Sequence, residues 1–199
     1  MKNDLFSIGP FTVHGYGLMI AIGVLSAYYM VEYRAKKKQM DWEKVFPLTV
    51  WSVLGGFLGS KILYLLTRLP DILANPALLG SSIKDGFVVY GGIIGGILTA
   101  WIYCKCTKWN FWKIFDIAMP AVAMAQGFGR IGCLLAGCCY GIELDPANPI
   151  GIVFHNSAYA PNDVALLPTQ IISSVLDFAN CFVLLALSKK LKTDGQVAS

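Results

Sequence analysis

An arginine stands inside an otherwise uncharged apolar run of this chain, in Gly129-Arg130-Ile131-Gly132, with no other charge from Ile117 to Ile142. At the centre of a membrane helix such a charge costs roughly 2.5–3.5 kcal/mol, so it is kept where it meets a partner, a cavity or a ligand. A phosphate suits it, because the planar guanidinium fork binds a pair of anionic oxygens better than the point charge of lysine, and bilayer surfaces are rich in phosphodiesters. A second set of reactive groups follows at once: Cys133, Cys138 and Cys139. The five-residue step from Cys133 to Cys138 falls off one face of a regular helix, and Gly137 and Gly141 point to a break there. Small-residue packing, a redox or disulfide pair, and a metal site are all compatible with three thiols. Without a second ligand pair they make a weak zinc signature, so packing is favoured and no metal is expected.

The elements that must position these residues are membrane helices. Of the 199 residues, 56% are hydrophobic and 14% charged, and the mean hydropathy is +0.59, which disfavours a soluble domain. Five runs, Val13–Val31, Val45–Leu66, Phe87–Cys104, Ile114–Tyr140 and Pro168–Leu187, match the ~20 residues a helix needs to cross about 30 Å of hydrocarbon. An all-α bundle of five spans is predicted, as one membrane domain covering residues 1–199 and without a cleavable signal before the first span. Positive charges are counted loop by loop. Arg34, Lys36, Lys37, Lys38, Lys44, Lys105, Lys108, Lys113, Lys189, Lys190 and Lys192 fall on one side, against Lys2, Arg68 and Lys84 on the other. The N-terminus is therefore expected outside and the C-terminus in the cytoplasm. Topology accounts for the net charge of +4, and nucleic acid is excluded as a partner.

This topology brings His14 and Tyr16, Lys61 and Tyr64, Tyr90, Gln126 and Arg130, and Gln170 to the outer leaflet. A lipid headgroup site needs polar side chains at one depth, with acyl chains in the apolar bundle below. Plainer readings stand beside this one. Tyr16 and Tyr90 also suit interfacial anchoring, Lys61 suits snorkelling to the surface, and Arg130 suits a buried ion pair. Asp116 is expected to cap its helix or pair with a cytoplasmic lysine. Asp177 lies about 14 Å into its helix, where it is expected protonated or paired. Glycines four apart, Gly55 with Gly59, Gly91 with Gly95, Gly92 with Gly96 and Gly137 with Gly141, are expected to let helices pack closely.

At these residues the chain resembles the bacterial prolipoprotein diacylglyceryl transferases along nearly its whole length. The family's His-x-Tyr-Gly-Leu corresponds to His14-Gly15-Tyr16-Gly17-Leu18, and its Gly-Ala-Arg-x-x-Tyr to Gly59-Ser60-Lys61-Ile62-Leu63-Tyr64. The signature Gly-Arg-x-Gly-Asn-Phe-x-Asn-Gly-Glu-x-x-Gly is matched in part by Gly129 to Gly141, with Asp116 and Pro120 upstream and Pro168-Thr169-Gln170 downstream. The departures are specific. The family's Phe-His-Gly-Gly, whose histidine is a candidate base, is Val89-Tyr90-Gly91-Gly92 here. Cys133, Ala136 and Cys138 replace two asparagines and a glutamate, and a later Tyr-Glu becomes Ile172-Ser173. The family continues with two further helices, one bearing a functional arginine, whereas this sequence ends at Ser199; a divergent, shortened member is expected.

The resemblance implies transfer of a diacylglyceryl group from phosphatidylglycerol to the thiol of a lipobox cysteine in a prolipoprotein, without a cofactor, in the bacterial plasma membrane. Arg130 would stabilise the charge growing on the phosphate leaving group, and His14 would assist thiol deprotonation. Tyr90, at the family's histidine position, completes the expected catalytic set. Tyr16, Lys61, Gln126, Gly132 and Gln170 are expected to bind substrate, and the segment from Ile142 to Leu167 would guide the entering peptide. Because the family has other residue types at the three cysteine positions, the thiols are not expected to be jointly essential. Two other functions remain open: a thiol-based membrane oxidoreductase or metal handler, and a catalytically silent lipid-binding homologue.

Overall fold

The computed structural model describes residues 4–8, 11–75 and 86–190. Lys2, Lys84 and Lys192 of the charge count, and the terminal segment through Asp194-Gly195-Gln196 to Ser199, lie outside the described residues. Strands β1 (Asp4–Ile8) and β2 (Phe11–His14) pair antiparallel ahead of α1 (Gly15–Lys37). A 3-10 turn at Trp42–Lys44 leads into α2 (Val45–Thr67), followed by the short α3 (Leu69–Ala74), then α4 (Val89–Cys106) and α5 (Phe111–Ala136). Strands β3 (Ile152–Val153) and β4 (Ala165–Leu166) pair antiparallel before α6 (Thr169–Lys190). Five helices, α1, α2, α4, α5 and α6, are long and apolar enough to cross a membrane. Large side chains such as Phe57, Leu58, Ile94, Val175 and Phe182 stand exposed on them, as expected of surfaces solvated by lipid tails.

The chain forms two compact units, Met1–Arg34 with Phe115–Ser199, and Ala35–Ile114. In the second, α2 and α4 pack with almost no side chain between them. A Cβ on Gly59 would overlap the Gly91 carbonyl oxygen, and one on Gly95 would overlap that of Gly55. This is the close backbone approach that small residues four apart allow. At the far end of the pair, Leu48, Cys104 and Ile114 form a buried cluster, and the Tyr103 hydroxyl donates to the Lys44 carbonyl at 3.2 Å.

In the first unit three helices are stitched by backbone-directed bonds. The Arg34 guanidinium on α1 donates to the Ile117 carbonyl on α5 at 2.9 Å, and Ser174 Oγ on α6 donates to the Gly127 carbonyl at 3.0 Å. Phe128 and Phe178 meet edge to face, with ring centroids 5.2 Å apart. Asp116 is buried within electrostatic reach of Arg34, also buried. This places a basic group of another helix of the bundle near the carboxyl.

Two boundaries that bear on the site differ from the sequence-based expectation. His14 ends β2 and precedes α1, so it lies outside the helix it was expected to open. The fourth span stops at Ala136 instead of Tyr140, because Gly137 takes φ +73° and Cys139 φ 58°, left-handed values that a continuing helix excludes. Gly137 and Gly141 thus fall outside any helix, and Gly137 serves a turn where helix packing was expected.

Candidate functional site at the helix ends of the first unit

Gly137 turns the chain back over the end of α5, and this reversal builds the site. The Cys138 amide donates to the Cys133 carbonyl at 3.0 Å, closing the turn. The sulfurs of Cys133, Cys138 and Cys139 all come within 4.8 Å of one another, although their spacing sets them off one helical face. All three are free thiols. Burial pushes the Cys138 thiol above its ordinary pKa, against the opposing pull of its hydrogen bond with Cys133.

The start of α6 clamps the turn. Gln170 Nε2 donates to the Cys138 carbonyl at 2.8 Å, and Thr169 Oγ1 donates to the Cys139 carbonyl at 2.7 Å. Gln170 is 1% exposed, and its Oε1 has no hydrogen-bond partner among the described residues. The glutamine expected to bind substrate thus holds the thiol turn with its amide nitrogen and keeps a buried acceptor unused. The start of α1 completes the enclosure. A Cβ at Gly132 would stand 3.1 Å from Tyr16 Cδ2 and 3.3 Å from Met19 Cβ, so glycine there lets α1 close on α5. Tyr16 lies within electrostatic reach of all three thiols.

One turn earlier on α5, Arg130 is half-buried and faces the Asp177 carboxyl of α6 electrostatically, with Gln126 beside the same carboxyl. The mid-helix Asp177 therefore lies within electrostatic reach of Arg130, the kind of residue expected to face it. Asp177 Oδ2 is buried and accepts no hydrogen bond among the described residues. Nothing within 4 Å would meet a Cβ on Gly129, so the helix is open beside the arginine. An open flank next to a guanidinium is a place a phosphate can approach.

Lys61 and Tyr90 belong to the second unit. Lys61 Nζ donates to the Gly86 carbonyl at 3.1 Å and sits 4.6 Å from the Phe87 ring centroid, so its ammonium is held by local groups. Tyr90, in the first turn of α4, is 74% exposed.

The segment from Ile142 to Leu167 folds on itself. The Leu167 amide donates to the Ile142 carbonyl at 2.9 Å and the Leu144 amide to the Ala165 carbonyl at 2.8 Å. Phe154, Ala160 and Leu166 form a buried cluster against Leu134 of α5. Out of this hairpin project His155 and Asp163, whose Nδ1 and Oδ1 are 2.6 Å apart. Sequence reasoning passed over this pair, because only the β3–β4 register brings residues eight apart together.

Such a molecule falls in the class of multi-pass helical membrane proteins that collect polar and nucleophilic groups at their helix ends. A family model described as prolipoprotein diacylglyceryl transferase matches residues 3–199. The phosphatidylglycerol–prolipoprotein diacylglyceryl transferase of Clostridium tetani is 44% identical over 200 residues, covering 100% of this chain and 79% of that protein. A protein of the same name, numbered 2, from Clostridium perfringens is 42% identical over 199 residues, covering 100% of this chain and 77% of its own. A third, from Dehalococcoides mccartyi, is 31% identical over 193 residues, covering 96% and 73%. The chain belongs to the prolipoprotein diacylglyceryl transferase family.

Proposed function

We propose that this chain transfers the diacylglyceryl group of phosphatidylglycerol to the cysteine thiol of a prolipoprotein lipobox, releasing glycerol phosphate, with its site facing outward from the plasma membrane. Family membership supports the reaction, and the half-buried Arg130 beside an open helix flank carries the assignment of the site. As the bond from carbon to the phosphate oxygen breaks, negative charge grows on the phosphate. A guanidinium aimed at that oxygen from a poorly hydrated wall stabilises the transition state more than the ground state. Asp177 and Gln126 hold the guanidinium in orientation, and Tyr16 and Gln170 flank the thiol turn one helical turn further along α5. His14, at the mouth of α1, takes the thiol proton. Lys61 and Tyr90 are assigned to substrate handling on their motif positions alone. The hairpin from Ile142 to Leu167 presents the acceptor peptide.

Purified chain in nanodiscs containing phosphatidylglycerol, incubated with a lipobox peptide, should yield peptide carrying the added mass of one diacylglyceryl group. Arg130→Ala should reduce kcat/KM by about 10²–10³, the loss typical for one oxyanion-stabilising donor. Arg130→Lys should recover little of it, having lost the fork. An Arg130→Ala variant as active as the parent would make the arginine structural and end this assignment.

A further inference from the structure

Cys133, Cys138 and Cys139 take no part in the mechanism above, yet the fold goes to some length to assemble them. A left-handed glycine reverses the chain, an amide bond closes the turn, and two side chains from α6 pin its carbonyls. The result is three sulfurs mutually within 4.8 Å. Three sulfurs bound to one zinc at about 2.3 Å lie about 3.8 Å apart in a tetrahedral arrangement. The cluster therefore needs a contraction of no more than about 1 Å to become a ligand set. Thiolates select soft or borderline d¹⁰ ions, and among the described residues no fourth histidine, cysteine or carboxylate joins the group. Three protein ligands with one position left for substrate is the pattern of catalytic zinc, whereas structural zinc closes with four.

We propose that Cys133, Cys138 and Cys139 bind one Zn²⁺ whose fourth position takes the acceptor cysteine thiol. The proposal rests on the transfer reading given above and supplies its nucleophile. On binding zinc, the three protein thiols release their protons to solvent; the acceptor thiol then displaces a water from the metal and gives its own proton to His14. A zinc-bound thiol is held as thiolate at neutral pH. That sulfur forms a bond to the glyceryl carbon as the bond from this carbon to the phosphate oxygen breaks, the electron pair leaving with glycerol phosphate. The thioether product is neutral and a weaker ligand, so it departs and water returns. Tyr16, within reach of all three thiols, borders the open position.

The test uses the whole chain in nanodiscs, stripped with chelator under reducing conditions and reloaded with Zn²⁺ or Co²⁺. We expect one zinc per chain by elemental analysis and less than one-tenth of that in the Cys133→Ser, Cys138→Ser, Cys139→Ser triple variant. Cys139→Ser should lose most of the metal and Cys139→His should keep it, which separates ligation from folding. The cobalt form should show a sulfur-to-metal charge-transfer band, with visible bands that move on adding lipobox peptide and stay put with a Cys-to-Ser peptide. A parent that retains no zinc, a triple variant that retains it, or cobalt bands indifferent to the peptide thiol would each overturn the proposal. Lipobox modification by the zinc-free triple variant at the parent's rate would also overturn it, while leaving the transfer reading intact. Zinc bound and thiol ligated, with no diacylglyceryl product, would support the metal site and sink the transfer reading alone.

Discussion

Asp177 shows how a single residue can be read only halfway from sequence. Its depth in an apolar run says that it needs protonation or a cation; which of the family's motif residues supplies that cation depends on the phase of two helices. In the structure the answer is Arg130, with Gln126 beside the carboxyl. One oxygen of that carboxyl, Oδ2, accepts no bond among the described residues. Asp177→Asn keeps the shape and removes the charge. It should lower kcat/KM about tenfold, the equivalent of 1.4 kcal/mol, and leave binding of the lipobox peptide unchanged. Isothermal peptide titration and turnover on the same nanodisc preparation read the two quantities. A loss of peptide affinity instead would place Asp177 on the acceptor path. The thiols teach the same lesson in reverse: a spacing argument that assumes a continuing helix separates Cys133 from Cys138, and a left-handed Gly137 reunites them.

Helices and turns were legible in proportion to how much of their logic is local. Composition located all five spans, because twenty apolar residues are a local property. The glycine pairs announced the α2–α4 contact, since a backbone approach leaves a fixed four-residue signature. What escaped was the hairpin from Ile142 to Leu167, whose strands are two residues long and are held by register, not by hydrophobic run. Three variants separate these cases. Gly59→Ala drives a Cβ into the Gly91 carbonyl and should cost about 1–3 kcal/mol, read as a lower midpoint of thermal unfolding in detergent. Gly129→Ala meets open space and should be neutral or gain up to about 1 kcal/mol from helix propensity. Phe154→Ala empties the hairpin's core, a loss of about 3–5 kcal/mol. It should raise the KM for peptide several-fold while helical circular dichroism stays constant. A KM unmoved by loss of Phe154 would remove the hairpin from the acceptor path.

On the scale of the whole molecule, the testable quantity is orientation. We place the N-terminus outside and the C-terminus in the cytoplasm on the eleven-to-three bias of positive charge. A periplasmic reporter fused after Ser199 should be silent and a cytoplasmic one active. A cysteine placed at position 84 should react with an impermeant maleimide in intact cells. An active periplasmic reporter, or a protected cysteine at 84, would invert the arrangement and move the proposed site to the inner leaflet.

Arg34 ties that orientation to time. It lies in the last turn of α1, and in the proposed orientation it counts among the charges that would retain a loop in the cytoplasm. In the finished molecule it is 8% exposed and bonded to a carbonyl 83 positions later in the chain. At roughly 5–20 residues per second, the ribosome needs about 4–17 s to deliver that partner. In that orientation the guanidinium would serve during this interval as a topological anchor; in the folded chain it is interior, within electrostatic reach of Asp116. The cue that orients the nascent chain is therefore consumed by folding, so that returning α1 to its inserting state would mean unmaking a buried bond. Insertion is thereby given a direction in time as well as in space.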